Sequence, residues 1–319
     1  MKTTSNKEKF LTNHGLPFDL NLAKALDSQL DRVQVQGKAS CIIIEGGVGM
    51  GKTTLDVHVA DYLTGAYEKI GLDEWKLNPD LIPDFKDYLG MGGKEFIKCM
   101  KVCYLKKIVV AVYDEAGDFS KRSTLTGFNA LLNRVFDTYR AFKIIVVVSL
   151  PSFSYLDNAL LEKQIPRFLI RVRSRNQFLA RYDIYDLLTM FLIKYYMKKI
   201  PVSIQAYSRV RHNFSGFFYN LTPDRCKELD AYTTSGKFEI LQLAEIKGRG
   251  LLSYNQLAGK LNRSVIWVKK KVSLFKIKPA ETVKGKRYFD PEAISTLMSA
   301  IDKDDIATRR KLKKAGVEL

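Results

Sequence analysis

Apolar residues along this chain fall into short unbroken runs, separated by stretches with helical spacing. "CIII" (Cys41–Ile44), "IVVAVY" (Ile108–Tyr113) and "IIVVVSL" (Ile144–Leu150) are continuous and rich in β-branched residues. That is the pattern of strands buried on both faces of a parallel sheet. "RFLIRVRSRN" (Arg167–Asn176) predicts a fourth strand, and "VSIQAY" (Val202–Tyr207) and "GFFYNL" (Gly216–Leu221) are further strand candidates. Helices are predicted over Asp19–Val33, Gly93–Lys107, Ser123–Phe142 and Asp183–Lys199. Residues 65–92 carry Gly65, Gly71, Pro79, Pro83, Gly90 and Gly92 and read as a loop with short helical pieces. Strands alternating with helices predict an α/β fold, a mainly parallel sheet with helices on both faces.

The first strand runs directly into "EGGVGMGKTTLDVHVADYL", where four glycines fall within six residues. The order Gly46-x-x-x-x-Gly51-Lys52-Thr53 is the phosphate-binding P-loop pattern. Gly46, Gly47, Val48, Gly49, Met50 and Gly51 would form a nest of backbone N–H groups around an anion. The helix opening at Thr53 and Thr54 adds the positive end of its dipole. Lys52 adds a full charge near the β- and γ-phosphates, and the Thr53 hydroxyl suits Mg²⁺.

The second strand ends in Asp114-Glu115. Asp114 stands where a Walker B carboxylate holds Mg²⁺, and Glu115 is placed to act as general base toward water. No guanine-reading N-K-x-D pattern is visible in the right region, which favours ATP over GTP. Arg140, Arg122 and Arg167 are candidates for an arginine that stabilises charge on a transferring phosphoryl group. Ser149, at the end of the third strand, is a candidate γ-phosphate sensor.

These pieces resemble the P-loop ATPases of the additional-strand, catalytic-glutamate group. Within it, "DEAGDFSKRSTLTGFNALLNRVFDTYRAFKIIVVVSLPSFSYLD" is most similar to the FtsK/HerA-type ATPases of viruses, plasmids and conjugative elements. The resemblance covers roughly residues 35–245. It implies a ring motor that moves DNA, with a finger arginine (Arg140) supplied by a neighbouring copy. Two features depart from the pattern. Ser149 replaces the glutamine common at the end of the sensor strand, and the membrane segment usual in zonula-occludens-toxin-like relatives is not visible. An AAA+-like initiator or helicase loader, and a regulator that uses ATP only as a switch, remain open as alternatives.

Charge then changes the picture at the C-terminal end. The 319 residues carry a formal net charge of +18, which points to a polyanion partner. Residues 247–319 hold 18 Lys and Arg against 7 Asp and Glu, a net of +11. "LLSYNQLAGKLNRSVIWVKKKVSLFKI" reads as two short helices with a turn at Asn262-Arg263, and "KPAETVKGKRYFD" as a β-wing. The whole resembles a winged helix-turn-helix closed by a helix from Pro291. Arg263, Ser264, Lys269, Lys270, Lys271, Lys284, Lys286 and Arg287 are its candidate DNA contacts. The four cysteines lack zinc-ligand spacing and read as free thiols of a cytoplasmic protein. No apolar run is long enough to span a bilayer.

The expected organisation is therefore a lead-in and helix (1–34), a P-loop ATPase domain (35–246), a winged-helix domain (251–302) and a basic tail (303–319). The expected partners are ATP, Mg²⁺, duplex DNA and further copies of the chain.

Overall fold

The buried runs pair side by side. In a computed structural model, residues 15–299 are described apart from 72–74, 115–138, 157, 177–178, 201–202 and 284. The chain divides into two compact units, 1–232 and 233–319.

Helix α1 (Leu20–Gln34) opens the first unit. Asp19 caps it, its side chain accepting from the N–H of Asn21 at 2.8 Å and of Leu22 at 3.2 Å. Leu22, Leu26 and Val33 turn to the core. Then come β1 (Ser40–Glu45), α2 (Lys52–Leu63) and a small hairpin of β2 (Tyr67–Lys69) and β3 (Trp75–Leu77). A short α3 (Phe85–Tyr88), β4 (Leu89–Gly90), α4 (Gly93–Lys106) and β5 (Val110–Tyr113) follow. After β6 (Ile145–Leu150) and α5 (Asn158–Glu162), the chain forms β7 (Pro166–Arg175) and β8 (Leu179–Asp186). α6 (Leu187–Lys199), α7 (Ser203–Ser208), β9 (Phe214–Tyr219) and α8 (Pro223–Gly248) complete the series, α8 extending past residue 232.

Among the described residues, one seven-stranded sheet runs β4-β5-β6-β1-β7-β8-β9. The first five strands pair in parallel, and β8 and β9 turn back antiparallel. β1, β5 and β6 are buried at every position, as their unbroken apolar sequence requires. β6 lies between β1 and β5, so the strand of the P-loop and the strand of Asp114 are separated by one strand. The outer edge, β9, is met by the start of the described chain. Phe18 bridges to Phe218, and the Tyr219 N–H donates to the Pro17 carbonyl at 2.8 Å.

Two local expectations are corrected. Val202–Tyr207 was expected as a strand from its β-branched residues, but Ser203–Ser208 is a helix. Ala206, Tyr207 and Val210 are buried by it and the turn that follows, so tertiary packing overrides propensity. The helix expected from Asp183 begins at Leu187, because Asp183–Asp186 pair with β7, and Asp183 and Ile184 also with β9. Asp186 caps that helix through the Thr189 N–H at 2.9 Å. The expected helix at 123–142 lies outside the described residues, except for a 3-10 turn at Tyr139–Phe142.

In the second unit, β10 (Leu252–Ser253) leads into α9 (Tyr254–Leu261) and α10 (Val265–Leu274). β11 (Glu281–Val283) and β12 (Lys286–Phe289) follow, then a helix over residues 292–299. Ser253 and Gln256 form a reciprocal capping box on α9, and Asn262 ends it in a left-handed conformation at φ 49°. Ser264 caps α10 by accepting from the Trp267 N–H at 3.2 Å. β10, β12 and β11 form an antiparallel sheet. Leu257, Ala258 and Leu261 pack with Val268, Val272, Phe289 and Leu297 in a core of their own.

Candidate functional site

The P-loop sits between β1 and α2, as its sequence order requires. Gly49 and Gly51 stand at φ 76° and 90°, in the left-handed region that favours glycine. Gly46 sits tight against β7, where a Cβ would lie 3.2 Å from the Val172 Cβ and 3.3 Å from its carbonyl oxygen. Gly47, Val48 and Gly49 are exposed at the tip, with Met50 half-buried beneath. Lys52 opens α2 and its Nζ donates to the Gly47 carbonyl at 3.1 Å, spanning the mouth of the loop. An α-helix leaves its first N–H groups without intrahelical acceptors, so the start of α2, with Thr53 and Thr54, presents donors and partial positive charge to the same space.

The second half of the site comes from β5. Thr53 Oγ1 donates to Asp114 Oδ2 at 2.8 Å, across a sequence gap of 61 residues. Asp114 is only 2% exposed. A hydroxyl and a carboxylate side by side next to a phosphate loop are the hard oxygen donors that suit Mg²⁺. The structure thus brings Gly46 through Thr54 and Asp114 together. Glu115 and Arg122 lie outside the described residues, and so does the side chain of Arg140. Arg167 is part-buried at the start of β7, its pKa lowered by burial and by the charge of Arg32.

Ser149, the candidate sensor, makes its hydrogen bond to a residue of α2. It is fully buried, and its Oγ donates to Asp56 Oδ2 at 2.6 Å. Asp56 lies one turn along α2 from Lys52, also fully buried, and its Oδ1 has no hydrogen-bond partner among the described residues. Burial, and then the charge of Asp114, push its pKa well above the usual carboxylate range, although Ser149 and Lys52 oppose this. The neutral form of the Asp56 carboxyl is thereby favoured by its burial and by the neighbouring Asp114. Ser149→Ala is expected to cost roughly 1–3 kcal/mol of stability by stranding a buried polar group, and to leave ATP affinity unchanged. Urea midpoints alongside nucleotide titrations check this; a weakened ATP affinity with normal stability would restore the sensor role.

Sequence reasoning also missed Glu45, the last residue of β1. It is 5% exposed and accepts a hydrogen bond from the Tyr207 hydroxyl. The Arg171 guanidinium stacks 3.8 Å from the Tyr207 ring centre. Burial raises the Glu45 pKa, against the opposing bond from Tyr207. An acid at the end of an otherwise apolar strand was the signal available.

The candidate DNA residues separate into two groups within the second unit. Lys269, Lys286 and Arg287 line one groove with Lys276, Lys278, Tyr254 and Tyr288. Arg263 and Lys271 instead lie at 6.0 and 5.6 Å from the Trp267 ring centre, and Lys270 is exposed. Ser264 is occupied as the α10 cap, and Lys284 lies outside the described residues. Among the described residues no helix is long and apolar enough to cross a membrane.

The strand–loop–helix unit, the Thr53–Asp114 pair and the mainly parallel sheet give the chain a P-loop NTPase fold. No protein-family model matches the sequence, and no curated protein does. Solved structures similar to it include the N-terminal domain of zonular occludens toxin from Neisseria meningitidis, at 15% identity and TM-score 0.33, covering 58% of this chain and 95% of that one. The flagellar accessory protein FlaH from Methanocaldococcus jannaschii has 17% identity and TM-score 0.26, over 49% of this chain and 83% of that one. A KaiC-like protein from Pyrococcus horikoshii OT3 has 13% identity and TM-score 0.25, over 46% and 78%.

Proposed function

We propose that this chain is a Mg²⁺-dependent ATPase that acts on duplex DNA, of the FtsK/HerA kind. The observation that carries the ATPase reading is the 2.8 Å pairing of Thr53 with Asp114 beside Lys52 and the P-loop. Thr53 and Asp114 would hold Mg²⁺, which supplies charge neutralisation at the β- and γ-phosphates. Lys52 and the first N–H groups of α2 bind and orient the phosphates. Glu115, the next residue after Asp114, takes the proton of the attacking water. Arg140 from a neighbouring copy stabilises the transferring phosphoryl group, which makes a ring or filament part of the proposal. The position of β6 between β1 and β5 supports membership of the additional-strand group.

The DNA reading rests on the second unit, taken as a winged helix-turn-helix with α10 as the groove-facing helix and the β11–β12 hairpin as the wing. Five cations along one groove, Lys269, Lys276, Lys278, Lys286 and Arg287, support contact with a phosphate backbone.

The test joins both halves. ATP turnover is expected to rise with duplex length, as a translocase requires. Each phosphate that a cation neutralises adds about 0.9 to the slope of log K against log salt, so the triple variant Lys269→Ala/Lys286→Ala/Arg287→Ala should flatten that slope by about two to three units. Its turnover without DNA should persist. An unchanged slope overturns the assigned phosphate partners. Tight ATP binding with almost no turnover would instead mark a switch, and preference for one DNA sequence an initiator.

A further inference from the structure

The strand beside the P-loop carries an irregularity that aims an arginine at it. β7 pairs with β8 as Val172↔Tyr182 and then Ser174↔Arg181, so Arg173 is an extra residue in β7. Side chains alternate along a strand, and one inserted residue reverses every side chain beyond it. Val172 lies against the P-loop, next to Gly46. With regular pairing Arg175 would sit on the other face of the sheet from Val172; with the bulge it returns to the P-loop side.

Its guanidinium lies across the last glycine of the loop. A Cβ on Gly51 would stand 3.3 Å from both Cδ and Nη1 of Arg175 and 3.5 Å from its Cζ. Nη2 donates to the Asn220 side-chain oxygen at 2.7 Å, just beyond β9. Arginine has five N–H donors in a planar fork, and Asn220 takes one of them. The side chain is therefore held by Asn220, laid along the loop and still able to donate to an anion.

Its position also separates it from the reacting end. β1 has β6 and then β5, bearing Asp114, on one side, and β7, bearing Arg175, on the other. Thr53 and Asp114 mark the metal side of the loop. Arg175 flanks the opposite side.

Resting on the nucleotide reading above, we propose that Arg175 binds, in cis, the non-transferred phosphates of the bound nucleotide. Asn220 is its positioning residue. Arg175 would then hold ATP and ADP alike and contribute nothing specific to the transferring phosphoryl group.

The experiment compares wild type with Arg175→Ala, Arg175→Lys and Asn220→Ala by direct ATP and ADP titration and by steady-state turnover. A charge-assisted hydrogen bond is worth about 1.5–3 kcal/mol, so Arg175→Ala should weaken both nucleotides by about 10- to 150-fold. kcat at saturating ATP should stay within about threefold. Arg175→Lys should restore part of the affinity, and Asn220→Ala should give a smaller loss of the same kind. The lysine and Asn220 variants report even if the alanine variant folds poorly. Mixing Arg175→Ala with Lys52→Ala protein should give no rescue of binding, because a cis contact cannot be supplied by a neighbour.

Unchanged ADP affinity in Arg175→Ala overturns the proposal. So does a collapse of kcat with ADP affinity intact, which would make Arg175 a transition-state contact. Rescue on mixing overturns the cis assignment. If the wild-type protein binds neither ATP nor ADP, the nucleotide reading itself has failed, independently of Arg175.

Discussion

Lys52→Ala is expected to weaken ATP binding by about a hundredfold, the scale of a lost charge-assisted hydrogen bond, and to leave melting unchanged. Its Nζ stands over the mouth of the loop and donates to the Gly47 carbonyl at 3.1 Å, an exposed bond whose loss costs the fold little. Glu115→Gln is expected to do the reverse: ATP stays bound, while turnover falls by roughly 10²–10⁴-fold, because an amide cannot take the proton of the attacking water. Nucleotide titration and phosphate release, measured on both variants, separate the two roles. Wild-type turnover in the glutamine variant would remove the general-base assignment. Wild-type ATP affinity in the alanine variant would remove the phosphate site altogether.

Arg225→Met should destabilise the first unit by roughly 3–5 kcal/mol at a pH where Asp61 is ionised. Arg225 lies near the start of α8 with 15% of its side chain exposed, and donates to Asp61 on α2 at 3.3 Å. It also donates to the Pro83 carbonyl at 3.3 Å and stacks 3.8 Å from the Phe85 ring centre. Asp61 is 2% exposed, and Arg225 is the cation that compensates its charge. Burial outweighs the arginine even in the native protein, so the Asp61 carboxyl titrates at about 7 instead of 3.8. Because the folded state favours the neutral form, this group's contribution to stability is full below pH 3.8 and is lost as pH rises through 7. Removing Arg225 raises that pKa further. The deficit of the methionine variant should therefore be flat in acid and grow as pH rises through about 7 in urea titrations, and adding Asp61→Asn should recover much of it. A deficit that does not change with pH would mean that Arg225 acts through packing alone.

What could be read from the sequence was local. The P-loop, the three buried runs and the α9–α10 pair each carry their signal within a short consecutive stretch: unbroken β-branched runs, a glycine order, and two short helical stretches about a turn at Asn262-Arg263. What was missed depends on residues far apart in the chain. Ser149 read as a candidate γ-phosphate sensor at a strand end; its hydrogen-bond partner Asp56 is 93 residues away. Asp61 and Arg225 meet across 164 residues. Arg175 read as one of several arginines on a basic strand, because the single-residue bulge that turns it toward Gly51 leaves no pattern in the sequence. Asp183–Asp186 lay next to a strongly helical stretch and was absorbed into it. Pairing with β7 along its length, and with β9 at Asp183 and Ile184, makes it extended against its intrinsic preference.

The contact of residues 17 and 18 with β9 makes the sheet's closure late. Phe18 and Phe218 are two hundred residues apart in sequence, so during synthesis the segment that bridges to the edge is made long before the strand it meets. Until both exist, neither can be satisfied, and a nascent β9 presents an open row of backbone donors and acceptors to any other extended chain nearby. Asp19 secures the closure once made. Its carboxylate accepts from the Tyr182 hydroxyl at 2.6 Å and fills the space where Gly216 has no side chain, so a Cβ there would collide with Asp19 Oδ2. The glycine in the edge strand works as a keyhole, admitting the Asp19 carboxylate and giving newly made copies a self-contained alternative to pairing with one another.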